Sequence, residues 1–271
     1  MYKNKEKSSL TINAISGIDG LAPTLNIIKH TKNIAIANKE SIICGWKLIK
    51  KELNIYQTKF IPLDSEHFSI WSLLKGENIK NVNNIYLTAS GGPFLNKNLK
   101  NLNKINPQKA LKHPNWKMGK KISIDSATMM NKIFEVIEAI KIFNIHKEKV
   151  KIIIHPKSYI HAIVDFDSGL TKYLSHKTSM EVPISNVMNL GNNSLEQKKN
   201  NFDYKKLNGL NFIKPDKNKF PLLRILNNKF NDTYFEIILV AMNDFLVKNF
   251  LKNKISYITI HTTMLKLLKK P

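Results

Sequence analysis

Short apolar runs alternate with longer helical patterns along most of the chain, and this alternation predicts an α/β fold. The predicted strands are short, apolar and followed by polar or glycine-bearing residues; they are 34–37, 59–63, 84–89, 121–125, 151–155, 159–166 and 170–174. The predicted helices are 24–32, 38–51 and 128–145. Strand ends of this kind are where α/β enzymes place their functional side chains.

A change in composition near residue 191 predicts a connecting segment, because the following stretch is polar and rich in lysine and asparagine. From Pro221 the pattern is helical again. The predicted division is an α/β part, a second α/β part, a linker and a helical C-terminal part, at residues 1–58, 59–190, 191–219 and 220–271.

Composition places the chain among globular intracellular proteins. A chain of 271 residues with 42% hydrophobic residues can bury a substantial core. No apolar run reaches the roughly 18 residues of a membrane span, and the charged N-terminus lacks the apolar core of a secretory signal. The single cysteine, Cys44, excludes an intramolecular disulfide and favours a reducing compartment. We therefore expect a cytoplasmic protein that is not attached to a membrane.

The formal charge of +23 raises the possibility of nucleic-acid binding. Arg224 is the single arginine, however, and arginine is the residue that favours forked contacts with phosphates and bases. The lysines are scattered along the whole chain. We therefore expect no nucleic-acid partner, although the charge attracts anionic substrates.

Three carboxylates in two short segments predict a metal site. Asp64 and Glu66 follow an apolar strand, and Glu135 shares one turn of a predicted helix with Asn131 and Lys132. Carboxylate oxygens suit a hard divalent ion such as Mg²⁺ or Mn²⁺. Solvated acids at a turn are the alternative for the first pair.

Three further features are weaker when each is taken alone. Lys39 begins a helix after a strand, where an anion is favoured, but a solvated lysine is the commoner outcome. Ser90 precedes two glycines that allow close approach of a phosphate, or merely form a turn. Trp116 and Met118 lie on a loop that either closes over a ligand or packs on a neighbour.

Taken together, the motifs resemble the 1-deoxy-D-xylulose 5-phosphate reductoisomerase family, strongly over residues 12–170 and more faintly beyond. The resemblance is carried in order by Gly20-Leu21-Ala22-Pro23-Thr24, Ala37-Asn38-Lys39-Glu40-Ser41, Pro62-Leu63-Asp64-Ser65-Glu66-His67, Ser90-Gly91-Gly92-Pro93-Phe94, His113-Pro114-Asn115-Trp116, Ser126-Ala127-Thr128-Met129-Met130-Asn131-Lys132 and Ile154-His155-Pro156.

The resemblance implies an α/β enzyme with part of a Rossmann-like NADPH domain, an α/β catalytic domain and a C-terminal helical domain. It implies NADPH- and metal-dependent isomerisation and reduction of 1-deoxy-D-xylulose 5-phosphate, and a homodimer. The implied metal ligands are Asp64, Glu66 and Glu135. The implied substrate-binding residues are Lys39, Ser65, Glu66, Ser90, His113, Ser126, Asn131, Lys132 and Glu135, with Lys39, Glu66, His113 and Lys132 catalytic. Asn38, Glu40 and Gly119 are implied on the cofactor side, and Trp116 and Met118 in a lid.

Two departures from the family pattern leave alternatives open. The chain lacks the glycine-rich turn of a Rossmann first strand, and the family's Asp-Met-Arg-x-Pro-Ile segment is Ser179-Met180-Glu181-Val182-Pro183-Ile184 here. The main hypothesis is a reductoisomerase with a truncated nucleotide domain. The alternatives are an inactive or partial fragment that retains metal and phosphate binding, and a basic nucleic-acid-binding protein.

Overall fold

The computed structural model describes residues 6–97, 104–190, 203–230 and 234–266. Its strands are β1 (Thr11–Asn13), β2 (Asn33–Ile36), β3 (Lys59–Pro62), β4 (Val82–Ala89), β5 (Val150–Ile154), β6 (Ile160–Phe166) and β7 (Thr171–Ser175). Its α-helices are α1 (Leu21–Ile28), α2 (Lys39–Tyr56), α3 (Ser65–Leu73), α4 (Pro107–Ala110), α5 (Lys120–Thr128), α6 (Met130–Phe143), α7 (Glu181–Asn189), α8 (Tyr234–Leu251) and α9 (Tyr257–Lys266).

The first sheet contains three parallel strands in the order β1-β2-β3. Its central strand carries Ile34 and Ile36, which are buried against Ile42 and Ile49 of α2. The parallel strand predicted at 34–37 is therefore confirmed, and so is the helix that follows it. β1 was not predicted, because three residues are too few to show a period.

The second sheet is mixed, with the order β5-β4-β6-β7. β4 pairs in parallel with β5 and antiparallel with β6. Val82, Ile85 and Leu87 of β4 are fully buried, and they pack against Val136 and Ala139 of α6. The last residues of β4 and the first turn of α6 consequently meet at one side of this sheet.

The strand predicted at 121–125 is wrong, because these residues belong to α5. The pattern of contacts is helical: Lys121 and Asp125 form an i,i+4 ion pair at 3.0 Å, and Ile124 and Ala127 are both buried. The helix predicted over 128–145 begins at Met130 instead. Met129 separates it from α5 with a φ of 65°, a left-handed conformation that breaks the helix.

The C-terminal helices are confirmed, and α8 and α9 pack on α5 and α6 in the largest hydrophobic cluster. Residues 191–202 of the predicted linker lie outside the described residues. The rest of it contains a short 3₁₀ helix (Tyr204–Leu207) and a backbone pairing between Ile213 and Ile154. Among the residues that the structure describes, no helix has the length and apolar character needed to cross a membrane.

Candidate active site

Three carboxylates from two helices converge where β3 ends. Asp64 is the N-cap residue of α3, Glu66 lies in its first turn, and Glu135 lies on α6. Each offers an oxygen that lies within 4.8 Å of the other two. Two oxygens bound to one Mg²⁺ at about 2.1 Å lie at most about 4.2 Å apart, so a small shift of the side chains brings these oxygens onto one ion. The predicted metal-ligand set is thus brought together.

Two buried lysines place their ammonium groups among these carboxylates. Lys132 Nζ lies 2.6 Å from a carboxylate oxygen of Glu66 and of Glu135, and donates to the Thr88 carbonyl at 2.6 Å. Lys39 Nζ pairs with Asp64 and lies 3.6 Å from Glu135. Burial alone would lower the pKa of each lysine, but the carboxylates outweigh burial and raise both pKa values. Both side chains are therefore cationic at neutral pH.

The three carboxylates do not ionise equally. Burial raises the pKa of Glu135, and the neighbouring Glu66 carboxylate raises it further, to about 7. Burial also opposes ionisation of Asp64, but Lys39 and His67 together outweigh it and hold the pKa of Asp64 well below its ordinary value. Glu135 is consequently the carboxylate whose charge responds most to an added cation.

His67 and Glu138 form a second buried pair next to the three carboxylates. His67 donates from Nε2 to the Glu135 carbonyl at 2.9 Å, and its Nδ1 lies 3.8 Å from Glu138 Oε2. Burial would lower the pKa of His67, but Glu138 and Asp64 outweigh it and raise that pKa to about 9. Glu138 was not predicted from the sequence, although its position three residues after Glu135 on one helix face was a signal for it.

Ser90 and His113 form a hydrogen-bonded pair after β4. Ser90 Oγ lies 2.9 Å from His113 Nε2 and accepts from the Gly92 amide at 3.0 Å. His113 Nδ1 accepts from the amides of Asn115 and Trp116 at 3.2 and 2.9 Å. Because Nδ1 is an acceptor, the neutral ring carries its proton on Nε2 and donates to Ser90. The Ser90 hydroxyl proton therefore remains available for a bond to another oxygen.

The ring of His113 is neutral at physiological pH. Burial lowers its pKa, and the Lys132 ammonium lowers it further, to about 4. A neutral ring keeps one nitrogen as an acceptor, which is what the loop amides require. His113 and Ser90 thus form an uncharged hydrogen-bonded pair beside the charged group of Lys132 and its carboxylates.

The loop before α5 is held by its own side chains. Asn115 Nδ2 donates to the Pro156 carbonyl at 2.6 Å and to Ser158 Oγ at 2.7 Å. The Trp116 ring meets His161 edge-to-face, with centroids 5.8 Å apart. The loop lies between two helices, α4 and α5, whereas a strand was predicted after it.

A cavity of about 260 Å³ collects most of the predicted site residues. The predicted residues that line it are Asp64, Ser65, Glu66, Ser90, His113, Trp116, Met118, Gly119, Ser126, Asn131, Lys132 and Glu135. Asn38, Lys39 and Glu40 line an adjoining cavity of about 710 Å³, which Gly119 and Asn131 also line. The sequence did not single out Ile122 and Met129, apolar residues of the smaller cavity's wall.

Two of the three residues expected on the cofactor side have protein partners in the larger cavity, and the third, Gly119, lines both cavities. Asn38 caps α2 by accepting from the Ser41 amide at 2.5 Å, and it donates to the Gly17 carbonyl at 2.6 Å. Glu40 accepts from Lys121 Nζ at 2.5 Å. Their side chains thus shape the wall of this cavity.

The segment that departs from the family pattern begins α7. Met180 lines the smaller cavity, and Glu181 is the exposed first residue of the helix. An acidic residue is favourable at a helix N-terminus. The changed charge is therefore accommodated locally.

Models of one enzyme family match three segments of the chain. They are 1-deoxy-D-xylulose 5-phosphate reductoisomerase at residues 2–45, its C-terminal domain at 60–143, and the DXP reductoisomerase C-terminal domain at 176–271. The 1-deoxy-D-xylulose 5-phosphate reductoisomerase of Pelagibacter ubique (strain HTCC1062) is 56% identical over 272 residues, covering 100% of this chain and 70% of that protein. The chain belongs to the 1-deoxy-D-xylulose 5-phosphate reductoisomerase family. The expected resemblance is confirmed and extends beyond residue 170.

Further relatives and solved structures support the same family and fold. The reductoisomerase of Wolbachia pipientis wMel is 44% identical and covers 93% of this chain and 65% of its own length. A solved DOX-P reductoisomerase in complex with NADPH, fosmidomycin and magnesium is 31% identical, with a TM-score of 0.86, and covers 97% of this chain and 67% of its own. The Zymomonas mobilis enzyme in complex with NADPH gives 34% identity, a TM-score of 0.84, and 97% and 68% coverage. The α/β fold is confirmed, and the chain spans about two thirds of the length of these relatives.

Proposed function

We propose that the chain catalyses the NADPH- and divalent-metal-dependent isomerisation and reduction of 1-deoxy-D-xylulose 5-phosphate to 2-C-methyl-D-erythritol 4-phosphate. Its family membership supports the class of enzyme, an oxidoreductase that also isomerises. The related structures hold NADPH and magnesium, in agreement with the expected cofactors. One observation carries the proposal: three carboxylates, the Lys132 ammonium and a serine–histidine pair line one small cavity, and the Lys39 ammonium pairs with one of those carboxylates.

The donor set fits a hard divalent cation. Asn131 offers a further oxygen beside the three carboxylates. Its Oδ1 is buried and has no hydrogen-bond partner within the described part of the chain, while its Nδ2 donates to Glu135 at 2.6 Å. Oxygen donors of this kind are those that Mg²⁺ and Mn²⁺ prefer. Asp64, Glu66 and Glu135 would hold the ion, which supplies Lewis-acid polarisation of substrate oxygens when bound.

The chain's own groups then bind and orient the substrate. Lys132 is fixed by its bond to the Thr88 carbonyl, so its ammonium presents a positioned positive charge at the cavity wall. The Ser90 hydroxyl, whose lone pairs are occupied by His113 and Gly92, points its proton outward to an anionic oxygen such as a phosphate. Trp116 lines the same cavity, where an apolar ring of this size would keep water from the substrate.

The proposed cofactor-binding and substrate-binding parts of the chain correspond to the two cavities. Residues 1–58, with Asn38 and Glu40, form the cofactor side, and residues 59–190 hold metal and substrate. Residues 220–271 support the site from behind, through the packing of α8 and α9 on α5 and α6. We further propose that the protein is a cytoplasmic homodimer that binds a phosphosugar and does not bind nucleic acid.

The test is NADPH oxidation by the purified chain with 1-deoxy-D-xylulose 5-phosphate and Mn²⁺, followed by absorbance. We expect turnover that stops when the metal is chelated. Glu66→Gln keeps the size of the side chain and removes one carboxylate, so we expect turnover to be lost while the circular dichroism spectrum is kept.

The control is Glu77→Gln, which changes an exposed carboxylate in the turn after α3, paired there with Lys172. It should leave turnover unchanged. A folded wild-type chain that binds Mn²⁺ without turnover would support the partial-fragment alternative, and unchanged turnover in Glu66→Gln would remove the metal assignment.

A further inference from the structure

Tyr257, the first residue of α9, reaches the active-site scaffold from the C-terminal helices. Its side chain is buried, with 2% exposure, and its hydroxyl donates to the Ala127 carbonyl at 2.7 Å. Burial raises the pKa of this phenol well above its ordinary value, so the hydroxyl stays protonated and remains a donor. Tyr257 itself does not line the active-site cavity.

The carbonyl that Tyr257 binds lies between two segments that line the active-site cavity. Ala127 belongs to the last turn of α5, where carbonyl groups lack intrahelical amide partners. It follows Ser126, a cavity-lining residue, and precedes the left-handed turn at Met129. α6 begins immediately afterwards and carries Asn131 in its first turn. A shift of the Ala127 carbonyl therefore moves two polar side chains of the cavity wall.

The same ring also contacts a second segment of the cavity wall. Phe94 meets Tyr257 edge-to-face, with centroids 5.3 Å apart, and closes the loop that begins at Ser90. This loop touches the end of α5, because a Cβ built on Gly92 would lie 3.0 Å from the Ser126 carbonyl oxygen. One side chain thus contacts two of the three segments that line the cavity with a serine, those of Ser90 and Ser126.

We propose that Tyr257 is a positioning residue for the anionic end of the substrate. Its hydroxyl fixes the Ala127 carbonyl, and its ring braces Phe94, so that Ser90 and Ser126 keep the separation that a phosphate group requires. The inference rests on the proposed function, because it takes the phosphosugar as the ligand. It assigns to the C-terminal helices a part in substrate affinity.

The test is Tyr257→Phe, which removes the hydroxyl and keeps the ring contact with Phe94. A lost hydrogen bond of ordinary strength predicts a KM for 1-deoxy-D-xylulose 5-phosphate about threefold to tenfold higher, with kcat changed less than about twofold. The matched control is Thr58→Val, because the buried Thr58 hydroxyl donates at 2.7 Å to the carbonyl of Ile28, the last residue of α1. It should lower the Tm and leave KM unchanged.

Binding is measured in parallel by calorimetry, with the substrate and with inorganic phosphate as probes and without NADPH. Weaker binding by Tyr257→Phe but not by Thr58→Val supports the inference. Equal affinity in wild type and Tyr257→Phe, or equal weakening in both variants, overturns it. Absence of turnover in the wild type contradicts the proposed function instead, while the binding comparison still decides the inference.

A second variant covers the case in which Tyr257→Phe fails to fold. Phe94→Leu keeps the hydroxyl bond and removes the edge-to-face contact, so it should weaken phosphate binding in the same direction. A folded Phe94→Leu chain with wild-type affinity for both probes would overturn the bracing role.

Discussion

Acidification from pH 7 to pH 5 should destabilise the fold by about 2 kcal/mol through one buried histidine. His161 on β6 is 2% exposed, and its ring stacks on that of His176 with centroids 3.6 Å apart. Burial lowers the pKa of His161, and proximity to His176 lowers it further, to about 4. The Glu66 carboxylate acts in the opposite direction but does not outweigh them.

The sign of the effect follows from the two states. The ordinary histidine pKa of 6.5 describes the unfolded chain, and the pKa in the folded chain is about 4, so the unfolded state binds more protons at pH values between the two. Stability is therefore complete above pH 6.5 and is lost as the pH falls toward 4. With these values, proton linkage gives a loss of about 2 kcal/mol by pH 5 and about 3 kcal/mol by pH 4.

Urea unfolding at pH 7, 6 and 5 measures this loss. His161→Phe keeps a ring in the stack but cannot be protonated, so its free energy of unfolding should fall by about 2 kcal/mol less than that of the wild type. His176→Phe should also weaken the dependence on pH, because it removes the second titrating ring. Parallel curves for the wild type and His161→Phe would refute the reasoning, whatever their baseline stabilities.

Three further predictions concern charge, backbone and metal. Lys121 Nζ lies 2.5 Å from Glu40 and 3.1 Å from Asp244, so Lys121→Met leaves both carboxylates without their shared ammonium. The free energy of unfolding measured in urea should fall by about 2 kcal/mol, and a fall of less than about 0.5 kcal/mol would contradict this. Gly92→Ala places a Cβ 3.0 Å from a carbonyl oxygen at a φ of 66° and should cost about 1–3 kcal/mol, again by urea unfolding. Mg²⁺ at about one hundred times its Kd should stabilise the wild type by about 2.7 kcal/mol in thermal unfolding, and Glu135→Gln should lose most of that response.

The sequence was sufficient where function depends on short-range spacing. Asp64 and Glu66 follow a strand, and Glu135 shares a helix turn with Asn131, so each segment could be assigned its chemistry locally. That the two segments meet was a fold-level expectation. It could be made because the ends of neighbouring elements in α/β proteins gather at one side of the sheets.

The sequence was insufficient where long-range packing decides. Residues 121–125 alternate like a strand, but contacts of Ile124 with the C-terminal helices and the pairing of Lys121 favour a helix. The break at Met129 carries no glycine or proline signal, since its left-handed backbone is held by tertiary contacts. Tyr257 belongs to the same class, because its partner Ala127 lies far away in the chain.

The charge balance around the carboxylates favours a cation site over a structural ion-pair cluster. Glu135 and Glu138 both have pKa values raised to about 7, primarily by burial, despite the nearby Lys39 ammonium. A self-sufficient ion-pair network would keep its carboxylates ionised, whereas here negative charge exceeds what the neighbouring cations neutralise. The group around Lys121 also has more carboxylates than ammonium groups, but its lysine side chain is 34% exposed, so water relieves the excess. Around Glu135 burial denies that relief, and a divalent ion held by Asp64, Glu66 and Glu135 would bring the Glu135 carboxylate to full charge.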